Sequence, residues 1–186
     1  ANKFEGIYYD FAVLAEVTVP EMYLSGRVDN FIHEIKEIYP DTSQKINMLD
    51  LGGGSGILAI EFAKTYKNSK AYVFEHPTVA NITKKIISEH NMESRVTVLA
   101  GDFNTDNING KYDFIVASGI LDFASQDMDT FIDKITLAML ENAHFMVIGS
   151  YSESYGYPKG NIINWLSGYM GGITPPPTKE DMETAL

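Results

Sequence analysis

The chain has 186 residues, no cysteine and a formal net charge of −11. That length makes one domain with room for a sizeable core, and the missing cysteines exclude disulfides, thiolate zinc sites and cysteine nucleophiles. The negative charge, with no basic cluster denser than Lys84-Lys85, argues against a nucleic-acid partner. No apolar run approaches the ~20 residues of a membrane span and no signal peptide is visible. The composition therefore predicts a soluble, cytoplasmic protein whose partner is a small molecule.

Residues 1–25 place Phe4, Ile7, Tyr8, Phe11, Leu14 and Ala15 at mostly helical spacing. A second amphipathic helix follows, with Val28, Phe31, Ile32, Ile35 and Ile38 on one face, and Pro40 to Ser43 break it. The chain begins without methionine, directly on an apolar helix, which points to an upstream segment having been removed.

The next stretch organises the rest. Ile46 to Leu51 form an apolar run interrupted near its end by Asp50, four glycines fall between 52 and 56, and an apolar helical pattern starts at Ile57. This is the grammar of a buried parallel strand, a tight turn and a crossover helix. Four glycines in five positions predict backbone approached closely by a ligand. Two ligands fit. Gly54-x-Gly56-x-x-Ala59, with Glu75 at the right distance, satisfies the dinucleotide fingerprint. The other frame reads Asp50-x-Gly52-x-Gly54-x-Gly56, and here the chain resembles the class I methyltransferases that use S-adenosylmethionine. A carboxylate there suits the ammonium of S-adenosylmethionine better than it suits a pyrophosphate.

Beyond the turn, a helix is expected from Ile57 to near Asn68 and a strand over 71–75, ending on Glu75. Pro77 opens a helix with Val79, Ile82 and Ile86 inside. Strands follow over 96–102, ending on Asp102, and over 112–118. A helix capped by Ser125 or Asp127 buries Phe131, Ile132, Ile135, Ala138 and Met139, and a fifth strand covers 145–148. From Ser150 an aromatic loop leads to a helix over 162–170, and Thr178 caps a last helix. Alternating strands and helices with continuously apolar strands predict a doubly wound, mostly parallel sheet. Its expected division is a helical segment over 1–44 bordering the acceptor pocket and a catalytic domain over 45–186.

In such sheets ligands sit beyond the carboxyl ends of the strands. Asp50, Glu75 and Asp102 occupy three successive ends beside the glycine turn. A lone acidic residue at a strand end is usually a cap or turn former, but three in succession favour a ligand. Glu75 can take both ribose hydroxyls, and Asp102 the adenine amino group with Phe103 on the ring face. Gly52 and Gly54 let backbone carbonyls reach the ammonium, and His76 borders the adenine.

Asp50 to Gly56, Phe74 to Pro77, Gly101 to Phe103 and the spacing between them resemble the small-molecule O-methyltransferase family, which includes caffeate, hydroxyindole and polyketide enzymes. The resemblance runs from about Tyr9 to Leu186. It implies a class I fold, S-adenosylmethionine as cofactor and a small organic acceptor methylated at a hydroxyl. Tyr9 and Val13 match the family's Phe-Asn-x-Ala-Met helix, and Trp165 and Tyr169 its late pocket segment. The family also implies an N-terminal dimerisation domain, hence a homodimer, and a C-terminal hairpin, both absent here.

Three departures accompany the matches. Asp122 stands where the family has its histidine base, Gly149 and Thr174 where it has supporting glutamates, and Ser118 where a lysine often neighbours the cofactor. Asp122 is either a substitute base or an N-cap or loop carboxylate. The aromatic stripe from Tyr151 to Tyr169 is either core or a cover for an aromatic acceptor. No histidine pair has metal-ligand spacing, so no metal is expected. Two other readings stay open: an NAD-dependent oxidoreductase, and a donor-binding homologue that has lost catalysis.

Overall fold

The computed structural model describes residues 10–123, 128–149 and 178–185. Five strands form one sheet: β1 (Asn47–Leu51), β2 (Lys70–Glu75), β3 (Val96–Ala100), β4 (Tyr112–Ser118) and β5 (Met139–Ile148). All neighbours run parallel, in the order β3-β2-β1-β4-β5. The order reverses between β1 and β4, which creates a crevice above their carboxyl ends.

Strand parity builds two cores. Met48, Phe114 and Val116 point to one face, where α3 (Arg27–Ile38), α4 (Ile57–Thr65) and α5 (Pro77–Glu89) bury Phe31, Ile35, Ile60 and Ile86. Leu49, Leu51, Ile115 and Ala117 point to the other, under Phe131, Ile132 and Ile135 of α6 (Met128–Ala138) and Met182 of α7 (Lys179–Ala185). Alternation at a two-residue period is what separates these sets. The helical segment is continuous with this core, since Phe31 lies with its ring centroid 6.4 Å from that of Phe114.

Short-range signals account for several boundaries. Asp10 caps α1 (Phe11–Val17), accepting hydrogen bonds from the N–H groups of Ala12 and Val13. Pro77 opens α5 behind an N-capping His76, as its sequence position predicts. A further short helix, α2 (Val19–Leu24), follows α1. Long-range contacts move other boundaries. The helix expected to reach Asn68 stops at Thr65, where the Arg95 guanidinium binds the carbonyls of Ala63 and Lys67. Met139, expected at the end of α6, begins β5 instead, because Lys111 Nζ captures the carbonyls of Leu137 (2.7 Å) and Met139 (3.2 Å). The early part of β5 then shifts register between Tyr112 and Phe114, with Asn142 at φ +62°. Among the described residues no helix is long and apolar enough to cross a membrane.

Candidate active site

A cavity of about 530 Å³ lies above the crevice, lined by the ends of β1, β2, β3 and β4 and roofed by α1 and α2. Asp50, Gly52, Gly54, Glu75, His76, Asp102, Phe103 and Ser118 all line it. Residues separated by up to 68 positions thus meet at one site, as the strand-end reading expects.

Asp50 is buried to 1% exposure, and neither carboxylate oxygen has a hydrogen-bond partner. Burial, then the charge of Glu75, pushes its pKa up to about 7; the Ala59 backbone N–H draws it down without reaching hydrogen-bonding geometry. A Cβ at Gly53 would stand 2.6 Å from the Asp50 carboxylate and 2.8 Å from Val73, so only glycine lets the turn fold over this group.

Glu75 is held from both sides. Its Oε2 accepts from the Gly54 N–H at 2.6 Å and its Oε1 from the His76 N–H at 2.7 Å. Burial raises its pKa, while these two N–H groups oppose the rise. A carboxylate offers about four lone-pair sites, so about two stay available to a ligand. His76 Nδ1 pairs with Thr78 Oγ1 at 2.7 Å, which fixes the ring at the cavity edge. Asp102 accepts from the Asn104 N–H at 2.9 Å, and Phe103 packs edge-on to Phe131.

Two glycine assignments need correction. Gly56 does not line the cavity; at φ +75° it starts α4, and a Cβ there would meet Thr83 at 3.2 Å. Its small size serves helix packing. The Gly54 carbonyl, expected to face an ammonium, instead accepts from Thr83 Oγ1 at 2.6 Å. Thr83 is fully buried on α5 and carried no signal in the sequence beyond its place in the helix.

For the residues expected at an acceptor pocket the placements divide. Val13 is 54% exposed and does not line the cavity. Phe11, Leu14, Ala15 and Thr18 do, because positions i, i+3, i+4 and i+7 share one helical face. Phe11 meets Phe123 edge-to-face at 5.5 Å, joining α1 to the loop after β4. The backbone of Asp122 lies in the 3-10 turn Leu121–Phe123, whose Phe123 carbonyl accepts from Asn104 Nδ2 at 3.1 Å. The Asp122 side chain, Tyr9, Trp165, Tyr169 and Thr174 lie outside the described residues. Lys134 is a further residue that the sequence did not single out: its Nζ binds the carbonyls of Phe103 and Asn104, holding the loop after β3. Among the described residues no cluster of three metal-ligating side chains occurs.

A five-strand parallel sheet reversing at β1/β4, with a glycine turn and acidic strand ends around one cavity, defines a class I S-adenosylmethionine-dependent methyltransferase domain. The chain belongs to the O-methyltransferase domain family, whose profile matches residues 29–159. It is 40% identical over 80 residues to an uncharacterised protein of Methanocaldococcus jannaschii, covering 43% of this chain and 21% of that one. It is 28% identical over 117 residues to the L-tyrosine C(3)-methyltransferase of Streptomyces lavendulae, covering 62% and 32%. The fold is similar to a crystal structure assigned as an O-methyltransferase from Nostoc punctiforme (TM-score 0.77, 18% identity, 94% of this chain and 52% of that one). The chain therefore spans between a fifth and about half of the lengths of these proteins.

The family's cofactor is S-adenosylmethionine, and the residues present fit it. The cavity has the volume of a small-molecule site. An unpartnered buried carboxylate lies beneath the turn, and a Cβ at Gly54 would meet nothing nearer than Ala15 at 3.9 Å, so the turn's outer side is open to a ligand.

Proposed function

We propose that the protein transfers a methyl group from S-adenosylmethionine to a small organic acceptor, at a hydroxyl oxygen. The observation that carries this reading is the convergence of Asp50, Glu75 and Asp102 on one cavity beside the glycine turn. Two of them can receive donor groups of the same molecule, ribose hydroxyls at Glu75 and an adenine amino group at Asp102, while Asp50, covered by the turn, favours an ammonium above it through its negative field. Phe103 offers an apolar ring to the base. When bound, the cofactor supplies a methyl group made electrophilic by its sulfonium.

The chain's own part is binding and alignment. Phe11, Leu14, Met22 and Phe123 give the cavity an apolar acceptor side, which excludes water and confines an organic ring. Holding the acceptor oxygen in line with the methyl group supplies much of the acceleration in a displacement of this kind. Asp122 is the candidate for receiving the acceptor proton, by its place in the loop after β4. An acceptor that is already acidic needs less from such a base.

Calorimetric titration with S-adenosylhomocysteine and with NAD tests the donor. Binding of S-adenosylhomocysteine alone is expected; binding of NAD alone would make the protein an oxidoreductase. Turnover is then measured on phenols, amines and carbon acceptors, the last because one relative's name specifies methylation at carbon. Donor binding without turnover across that panel, in the full-length protein, would favour a homologue that has lost catalysis.

A further inference from the structure

The proposed donor and acceptor sides of the cavity are carried by different loops, and Asn104 joins them. It stands in the loop after β3, two residues beyond Asp102, and its Nδ2 donates to the Phe123 carbonyl at 3.1 Å. Phe123 closes the 3-10 turn Leu121–Phe123, whose middle residue is Asp122. Asn104 and Phe123 both line the cavity.

The two ends of this link are held differently. On the β3 side, Asp102 accepts from the Asn104 N–H at 2.9 Å, and Lys134 Nζ binds the Phe103 and Asn104 carbonyls at 3.3 and 2.9 Å. The backbone at Asn104 is thus fixed from two directions. The turn after β4 is packed at its start and exposed at its end. Ile120 and Leu121 are buried, and a Cβ at Gly52 would fall 2.6 Å from Ile120. Phe123 is 37% exposed; its ring meets Phe11 edge-to-face, and its N–H donates to the Ile120 carbonyl at 2.9 Å. A turn end with little burial opens locally with ease. A ligand biases such an opening when it is tied to the segment that opens. An adenine amino group on Asp102 and an adenine ring on Phe103 would bear on the two residues directly before Asn104, and Asn104 holds the turn's exposed end.

We propose that Asn104 is a positioning residue for methyl transfer, carrying occupancy of the donor's adenine site to the turn that holds Asp122, so that the acceptor side is set when the donor is bound. This rests on the cavity being the methyl-donor site.

Hydrogen exchange resolved by NMR reads the turn without needing an acceptor. In the wild type, saturating S-adenosylhomocysteine should slow exchange of the Phe123 N–H about tenfold and also slow that of the Gly54 N–H. In Asn104→Ala, and in the near-isosteric Asn104→Asp whose carboxylate cannot donate, the slowing at Phe123 should disappear. Slowing at Gly54 should persist in both, which marks a folded, donor-binding variant. Asn104→Gln keeps an amide donor and should recover part of the effect at Phe123. On any acceptor that the wild type methylates, kcat should fall about tenfold or more in Asn104→Ala, with calorimetric affinity for S-adenosylhomocysteine within about threefold. Unchanged slowing at Phe123 in the variants, or none in the wild type with S-adenosylhomocysteine bound, would overturn the role. A loss of donor affinity as large as the loss of turnover would also overturn it, by making Asn104 a donor contact. Failure of the wild type to bind S-adenosylhomocysteine would overturn the donor reading itself and this proposal with it.

Discussion

Glu75 and Gly54 are joined by a 2.6 Å hydrogen bond that ties the end of β2 to the turn after β1. One carboxylate thus shapes the glycine turn and also faces the cavity. Replacing Glu75 by Ala should lower affinity for S-adenosylhomocysteine at least about tenfold, since hydrogen bonds to a charged group are worth roughly 1.5–3 kcal/mol each. The melting temperature should fall as well, because the Gly54 and His76 N–H groups lose their acceptor. Undiminished calorimetric affinity in this variant would remove the ribose assignment.

Thr83→Val keeps the side chain's shape and removes only the hydroxyl that donates to the Gly54 carbonyl. A buried carbonyl left without its donor costs about 1–3 kcal/mol, and the half-buried Gly54 carbonyl should cost toward the lower end of that range. Urea unfolding should show that loss. Donor affinity should also weaken, because the turn is no longer pinned to α5. A stability change with no change in donor affinity would mean that the turn holds its shape without Thr83.

Asp50 makes stability depend on pH. Its folded pKa is raised to about 7 from an ordinary 3.8, so the folded state binds more protons than the unfolded state across that window. Stability from this group is therefore full below the unfolded value and is lost as pH rises through the folded one. Asp50→Asn cannot ionise. The variant should gain melting temperature relative to the wild type at pH 8, by an amount that shrinks at pH 5. The underlying difference is roughly a few kcal/mol. The same change should weaken S-adenosylhomocysteine binding more at pH 8 than at pH 6, since the negative field of ionised Asp50 beneath the turn is what favours the ammonium. Equal melting-temperature offsets at both pH values would show that Asp50 ionises without penalty.

Gly53→Ala should be among the more damaging single changes in the turn. The added methyl would fall 2.6 Å from a buried carboxylate and 2.8 Å from Val73, and overpacking of this kind costs about 1–3 kcal/mol. Gly54→Ala meets no atom nearer than 3.9 Å but must take a left-handed φ of +53°. That strain is about 1–2 kcal/mol for an L residue, so in paired chemical denaturation this variant should lose stability too, though less than Gly53→Ala. The reverse order would place the strain of the turn at Gly54.

Asp122→Asn separates alignment from proton removal. Donor affinity should stay within about threefold, whereas turnover should fall by something like the 10²–10⁴ typical of a lost general base. Unchanged turnover, measured with the donor saturating, would reduce Asp122 to a loop carboxylate.

Much of the site was legible because its signals are local. A strand that ends on a carboxylate, a glycine cluster and a helical period each occupy a few consecutive residues. Topology then carries Asp50, Glu75 and Asp102 to one edge of the sheet. The sequence alone thus determined the sheet class and the three acidic positions. It could not determine which face of α1 meets the cavity, so Val13 was expected where Leu14 and Ala15 line it. Nor could it separate the glycine that packs helices, Gly56, from those that border the cavity. Thr83, Arg95, Lys111 and Lys134 each bind backbone carbonyls more than 20 residues away. No periodicity encodes such bonds. They exist only once the sheet has brought distant carbonyls within reach, and so tertiary structure alone decided how the turn, the helix ends and the loop after β3 are held.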